Sequence, residues 1–158
     1  MTGRFAAVPT TPLARDVRCG TLSPEDGFLR DWRLQVVGHR IWAIPEGYIP
    51  GRSYSEAHDL VSHEAACILN ATDATALIEI TVYFENREPA GPYRLSVGPR
   101  RTRHLRFNDL DHPEEVPRDT PYASVLVSDV PIVVQHTRLD SRDPHIALLS
   151  TIAFPAEP

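Results

Sequence analysis

Short apolar runs, separated by turns that contain proline, glycine and aspartate, follow one another from Arg40 to the C-terminus. The pattern is clearest in residues 76–86. There, Ile78, Ile80, Val82 and Phe84 alternate with Glu79, Thr81, Tyr83 and Glu85. Because successive side chains of a β-strand point to opposite faces, this alternation predicts a strand with one buried face and one face in water.

About eight segments have strand character, and short strands separated by regular turns favour an all-β sandwich or barrel. They are residues 41–44, 63–70, 76–86, 93–97, 101–107, 122–127, 132–137 and 147–154. Residues 128–131 (SDVP) predict a break between two of them. Asp and Ser favour turns, and Pro131 has no N–H to donate to a ladder.

Residues 1–38 differ from the rest of the chain. The first part has scattered Pro, Thr and Arg without periodicity, and Ser23-Pro24-Glu25-Asp26 has the composition of a helix start. The residues that follow also permit a strand, since Trp32, Leu34 and Val36 alternate. We therefore expect a partly loose N-terminal extension over 1–38 with a short helix, followed by one domain over 39–155.

The composition is that of a soluble globular protein, with 158 residues, 42% hydrophobic and 23% charged. No run approaches the ~18 apolar residues needed to span a bilayer. Since the N-terminus also lacks the apolar core of a secretory signal, we expect a cytoplasmic location. Two cysteines are too few for a disulfide framework or a zinc cage.

All 16 basic residues are arginine, and lysine is absent from the sequence. This excludes Schiff-base chemistry through a side-chain amine and the lysine of a phosphate-binding loop. Arginine instead suits bidentate recognition of carboxylates and phosphates. The net charge of −5 makes non-specific binding of nucleic acid unfavourable.

Polar residues follow directly on the apolar run at 132–134. Gln135, His136, Thr137 and Arg138 arrive in succession, and a strand would place His136 and Arg138 on one face and Gln135 and Thr137 on the other. Two interpretations stay open. The segment is either a strand end that meets solvent, or a ligand-binding rim with donors, acceptors and guanidinium groups side by side.

Two other places carry candidate chemistry. Arg103 and Arg106 belong to a basic band that would bind an anion or pair with acidic neighbours such as Glu79. Trp42 and Glu46 combine an aromatic face with a carboxylate, which suits a sugar, although the same residues would also pin a loop to the core.

Catalytic and metal-binding motifs are weak. His63 and Glu64 are adjacent on a predicted strand and so point to opposite faces, which is unsuitable for gripping one ion. His136 with Asp140 resembles a general-base pair, but no Ser or Cys nucleophile is placed to complete a triad. We therefore predict no catalytic residue, no metal and no cofactor.

Several long segments closely resemble the sensory rhodopsin transducer family. They are WAIPEGYIP (42–50), SHEAACILN (62–70), IEITVYFENREPAGPYRLSV (78–97), RRTRHLRFNDL (100–110), PRDTPYASVLVSDVPIVVQHTRLDSR (117–142) and ALLSTIAF (147–154). The resemblance implies a single antiparallel β-sandwich of jelly-roll type, assembled as a homotetramer. It also implies a wider superfamily that binds small molecules such as sugars. Residues 1–38 have no counterpart in the short members.

The leading hypothesis is a non-catalytic, cytoplasmic signalling module that binds a small polar ligand such as a sugar or sugar acid. Its expected ligand-binding residues share a hollow and are Trp42, Glu46, His63, Arg103, Arg106, Gln135, His136 and Arg138. The alternatives are an adaptor that docks on a membrane photoreceptor (a rhodopsin), an enzyme that acts on a sugar acid with His136 as base, and a DNA-binding regulator. The net negative charge disfavours the last of these.

Overall fold

The longest strand organises the fold. The computed structural model describes residues 36–156, so the predictions for residues 1–35, including the helix start at Ser23, lie outside the described part. In chain order the strands are β1 (His39–Gly47), β2 (His63–Asn70), β3 (Ala76–Tyr83), β4 (Ala90–Val97), β5 (Arg101–Arg106), β6 (Tyr122–Asp140), β7 (Ala147–Ile152) and β8 (Phe154–Ala156). Short 3-10 turns lie at His58–Leu60 and Phe107–Asp109.

Strand β6 belongs to two sheets. Its first half pairs with β1 and β3, and its second half pairs with β2 and β7, always antiparallel. The predicted break at residues 128–131 is therefore wrong, because the chain stays extended and crosses from one sheet to the other there. Proline is compatible with extended backbone, and the Asp129 carboxylate accepts a hydrogen bond from the backbone N–H of Leu77 at 2.7 Å.

The first sheet has the order β4-β3-β6-β1-β8, and the second contains β5, β2, β6 and β7. Apolar side chains from the facing surfaces form the core, among them Ile44, Ile68, Ile80, Leu126 and Val134. The predicted all-β sandwich is thus confirmed. The predicted segment 147–154 divides at Ala153, since β7 joins the second sheet and β8 pairs with β1 in the first.

Trp42 fixes the crossing point between the sheets. Its side chain is 3% exposed, and its indole N–H donates to the carbonyl oxygens of Ile132, at 2.9 Å, and His39, at 3.0 Å. Gly38 lies against the same carbonyl with φ +96°, and a Cβ there would lie 2.1 Å from the Ile132 oxygen. The indole group of Trp42 is therefore buried and hydrogen-bonded within the core of the fold.

Candidate functional site

A fully buried carboxylate lies between the two sheets at Glu64, which is 0% exposed. Its Oε1 accepts a hydrogen bond from the backbone N–H of Tyr48, at 2.9 Å, and another from Arg138 Nε. Its Oε2 is bonded to His136 Nε2. A buried charge is very unfavourable unless its oxygens are hydrogen-bonded, and here both are. We call Glu64, His136 and Arg138 the Glu64 centre.

The pairing of β2 with β6 places these side chains together. Glu64 lies opposite Arg138 and Ala66 opposite His136, so the alternation of each strand turns all the polar groups toward the interior. Arg138 also donates from Nη1 to Glu46 Oε1 at 3.4 Å. Burial lowers the pKa of Arg138, but the contacts with Glu64 and then Glu46 outweigh it and raise that pKa, so the guanidinium stays charged.

Tyr122 borders the Glu64 centre with its ring 5% exposed. Within residues 36–156 its hydroxyl has no hydrogen-bond partner. Burial, followed by the charge of Glu64, raises the pKa of Tyr122, so the hydroxyl is neutral at physiological pH. A Cβ at Gly47 would lie 2.3 Å from the Tyr122 ring, which explains why a glycine stands there.

An open groove runs between β4 of the first sheet and β5 of the second, where the edge strands of the sandwich separate. Its volume is about 360 Å³, within the range of small-molecule sites. The polar residues that line it include Tyr93, Arg103, His104, Arg106, Asp109 and Asp111. We call this cavity the edge groove.

The arginines of the edge groove differ in how far they are engaged. Arg103 is exposed and donates from Nη1 to the Ser96 carbonyl oxygen at 3.2 Å, which leaves its other N–H groups for a ligand. Arg106 donates from Nη1 to the His58 carbonyl oxygen at 3.0 Å, and its Nη2 lies 3.9 Å from Asp59 Oδ1. Tyr93 is 1% exposed, and its hydroxyl has no partner among the described residues. Burial, and then Glu114, raises the pKa of Tyr93.

The outer face of the second sheet carries a third polar group of residues. Cys67 Sγ lies 3.1 Å from His104 Nδ1, and Gln135 Nε2 donates to Ser150 Oγ at 2.6 Å. The His63 ring lies 6.2 Å from the His104 ring, measured between centroids. Burial lowers the pKa of His63, while its bond to the Val61 carbonyl opposes that change.

The structure does not bring the eight predicted ligand-binding residues into one hollow. Glu46, His136 and Arg138 meet at the Glu64 centre, and Arg103 and Arg106 line the edge groove. The remaining three are elsewhere: His63 and Gln135 lie on the outer face of the second sheet, and Trp42 lies in the core. The reason is the period of the strand, because Gln135 and His136 must face opposite ways.

Sequence reasoning set Glu64 aside and passed over Tyr93, Asp109 and Asp111. A signal for Glu64 was present, since it shares a strand face with Ala66, Ile68 and Asn70, all buried. A carboxylate on a buried face requires partners, and the sequence offers His136 and Arg138. Nothing in the sequence indicates that the turn after β5 faces β4, so the acids of the edge groove had no comparable signal.

Among residues 36–156, no cluster of three or more His, Cys, Asp or Glu side chains is arranged to hold a metal ion. Over the same residues, no helix has the length and apolar character required to cross a membrane.

Two antiparallel sheets that share one long strand, with a polar groove at an open edge, define an all-β sandwich module. The family model of the Anabaena sensory rhodopsin transducer (ASRT) matches residues 37–155. The chain therefore belongs to the sensory rhodopsin transducer family, as the resemblance of its segments predicted. Membership makes it a signalling module of the transducer type.

Two solved structures are similar to this chain. The Anabaena sensory rhodopsin transducer is 53% identical, with 65% of this chain and 100% of that chain covered and a TM-score of 0.59. Thermotoga maritima 1070 is 38% identical, with 77% of this chain and 98% of that chain covered and a TM-score of 0.69. Among proteins with curated descriptions, none matches.

Proposed function

We propose that this chain is a signalling module that binds a small polar ligand, a sugar acid, in the edge groove. The observation that carries the proposal is a cavity of about 360 Å³ in which the exposed Arg103 retains unused donors. A planar guanidinium matches a carboxylate in geometry and charge. The groove has the size of a monosaccharide site rather than of a macromolecular interface.

The other polar groups of the groove suit the hydroxyls of such a ligand. Asp109 and Asp111 are exposed and offer carboxylate oxygens that accept hydrogen bonds from hydroxyl groups. The Tyr93 hydroxyl is able to donate or accept one more bond, and a buried polar group that gains a partner is stabilised. The ligand would therefore be held by its carboxylate at β5 and by its hydroxyls at the turn that follows.

Titration calorimetry and thermal unfolding against gluconate, glucuronate and galacturonate test this proposal. A ligand present at 100 times its dissociation constant should stabilise the fold by about 2.7 kcal/mol. Arg103→Ala should weaken binding, whereas Arg40→Ala, which removes an exposed arginine from β1 outside the groove, should leave it unchanged. The absence of saturable binding across the panel would contradict the proposal.

A second candidate function, association with a protein partner, is favoured by the outer face of the first sheet. Leu77 is 59% exposed, Val127 46% and Phe154 66%. The ladders place Phe154 opposite Ala43 and Val127 opposite Ile41 and Glu79, so these side chains lie on neighbouring strands of one face. Apolar patches of this kind commonly mark protein interfaces.

We propose that a second copy of this chain covers that face in a homo-oligomer, and the family resemblance points to a tetramer. Sedimentation velocity measures the assembly directly. Val127→Glu should shift the protein toward smaller species, because a charge would be buried in the contact. Leu148→Glu is the matched control, since Leu148 is 69% exposed on β7 of the second sheet. Equal effects of the two variants would count against this face.

The Anabaena relative is named as the transducer of a sensory rhodopsin. We propose that this chain docks on the cytoplasmic side of a membrane receptor of the sensory rhodopsin type, with arginines of β5 facing acidic loops of the receptor. Affinity for a purified sensory rhodopsin in detergent should then fall as salt rises. Binding that is insensitive to both salt and Arg101→Glu would exclude this contact.

A further inference from the structure

The two acids of the edge groove are left without partners. Within residues 36–156, neither the Asp109 nor the Asp111 side chain forms an ion pair or a hydrogen bond, although both line a cavity that also contains Arg103. Opposite charges therefore face the same space from β5 and from the turn that follows it, without touching. The positive charge of Arg103 and the negative charges of the two acids therefore lie at different places on the wall of the groove.

Several other arginines of the described chain contact an acid. Arg94 pairs with Glu79 at 2.8 Å, Arg142 pairs with Asp140 at 2.6 Å, and Arg100 and Arg87 each contact a nearby acid, Asp73 and Glu114. Arginines of this protein thus commonly neutralise neighbouring carboxylates. In the edge groove, Arg94 likewise pairs with Glu79 and Arg106 lies 3.9 Å from Asp59, whereas Arg103 has no carboxylate partner among the described residues.

One of the residues that line the groove, Tyr93, carries a buried hydroxyl without a partner in the described part of the chain. The residue is 1% exposed and lines the cavity, yet its oxygen has no hydrogen-bond partner among the described residues. Leaving a buried hydroxyl unsatisfied is unfavourable, and a polar ligand would remove that cost.

We propose that the ligand of the edge groove is a small zwitterion, whose ammonium group binds Asp109 and Asp111 and whose carboxylate binds Arg103. This inference rests on the proposed function of the groove and names the class of its ligand. An ammonium group has three donors and no acceptor, which suits two acceptor-only carboxylates. A hydroxyl would also bind there, but a hydrogen bond between two charged groups is roughly twice as strong as a neutral one.

Three related probes isolate each charge. Glucosaminate carries both the amine and the carboxylate, gluconate replaces the amine with a hydroxyl, and glucosamine lacks the carboxylate. By calorimetry at neutral pH we expect glucosaminate to bind about tenfold more tightly than either of the others, equivalent to about 1.4 kcal/mol. The preference should decline as salt rises, because the groove is open to solvent.

Substitutions test whether Asp109 and Asp111 cause the preference for glucosaminate over gluconate. Asp109→Asn combined with Asp111→Asn should remove the advantage of glucosaminate and leave the affinity for gluconate nearly unchanged. Glu88→Gln removes an exposed acid outside the groove and should keep the preference. All of these side chains are exposed, so the temperature of unfolding serves as a check that each variant folds.

The possible failures are distinguishable. If gluconate binds as tightly as glucosaminate, or if the double variant keeps the preference, the zwitterion inference is wrong and the proposed sugar-acid site stands. If neither gluconate nor glucosaminate binds saturably, the proposed function of the groove is wrong, and the zwitterion inference is wrong with it.

Discussion

The Glu64 centre and the edge groove differ in whether their charged side chains have partners within the protein. In the Glu64 centre both carboxylate oxygens are bonded, and Glu64 is 0% exposed. In the edge groove, Asp109 and Asp111 have no partner in the described chain and face a cavity of about 360 Å³. The fully hydrogen-bonded carboxylate of the Glu64 centre indicates a role in stabilising the fold. The unpaired carboxylates of the edge groove indicate a role in binding a ligand.

Solvent explains why both arrangements persist. A carboxylate removed from water must be compensated within the protein, so each bond to Glu64 is required. In an open groove water solvates the charges, and leaving them unpaired costs little. Arg138 stands at the boundary, since its side chain is 23% exposed and contacts both the buried Glu64 and the exposed Glu46. The same guanidinium therefore offers a direct comparison of the two environments.

The largest expected effect comes from Glu64→Gln. The change keeps the shape of the side chain but removes its charge and turns one acceptor into a donor that faces Arg138 or His136. Breaking a buried ion pair by removing one partner costs ~3–5 kcal/mol. Urea denaturation should show this loss in the free energy of unfolding.

Glu46→Gln is the matched control, because Glu46 contacts the same guanidinium through Arg138 Nη1 at 3.4 Å and its side chain is 76% exposed. Exposed ion pairs contribute ~0–1 kcal/mol, so this variant should be close to the original protein. Similar losses for the two variants would mean that the Glu64 centre is not a special stabilising element.

A smaller effect, of opposite sign, is expected for Tyr122→Phe. The hydroxyl that this removes is buried without a partner in the described chain, and an unsatisfied buried group costs ~1–3 kcal/mol. The variant should therefore be more stable by about 1 kcal/mol in urea denaturation. A loss of stability would reveal a partner, such as a bound water, that the hydroxyl depends on.

Tyr93→Phe applies the same removal of a buried hydroxyl to a residue of the edge groove. It also removes an unpartnered buried hydroxyl, so the ligand-free protein should again gain stability. Affinity for the groove ligand should fall in this variant and remain unchanged in Tyr122→Phe, because Tyr93 lines the groove and Tyr122 does not.

The fold was largely predictable because its strands have strong local patterns. Residues 63–70 were predicted as a strand and form β2 with the same bounds, since apolar and β-branched residues are framed by turns. The error at Ser128–Pro131 is instructive. Turn-forming residues signal that pairing stops, but not whether the chain turns back or continues into another sheet, which depends on partners distant in sequence.

The site was less predictable because it depends on which faces meet. Alternation correctly separated Gln135 from His136, yet it could not show that His136 would find Glu64, which lies 72 residues away along the chain. The acids of the groove follow β5 at the end of a short 3-10 turn and in the irregular segment after it, where the period of the strand no longer assigns a direction to side chains. The local sequence pattern determines which face of a strand a side chain occupies, whereas the packing of the sheets determines which distant residues it contacts.

A pH profile provides a third comparison, through His63. Burial lowers the pKa of His63, with the nearby positive groups Arg106 and His104 acting in the same direction. The unfolded chain therefore takes up a proton first, near the ordinary histidine pKa of about 6.5. Stability contributed by neutral His63 is complete above that pH and declines as the pH falls from there toward the lower native pKa.

His63→Gln should flatten the decline in the free energy of unfolding just below pH ~6.5. The slope is the proper readout, because the substitution also removes the bond between His63 Nδ1 and the Val61 carbonyl, at 2.7 Å. His145→Gln alters a histidine whose side chain is 98% exposed and serves as control. An unchanged slope in His63→Gln would show that this histidine is not desolvated in solution.

The smallest expected effect on stability is in the edge groove, and this completes the comparison. Arg103→Ala and the double change of Asp109 and Asp111 to Asn alter exposed side chains, and such substitutions usually change the free energy of unfolding by less than ~0.5 kcal/mol. Urea denaturation without ligand checks this. Losses comparable to that of Glu64→Gln would mean that these charges hold the fold together after all. Near-zero values would instead mean that the stability of the fold does not depend on the charges of Arg103, Asp109 and Asp111, so that a loss of binding in these variants would report on the ligand contact and not on unfolding.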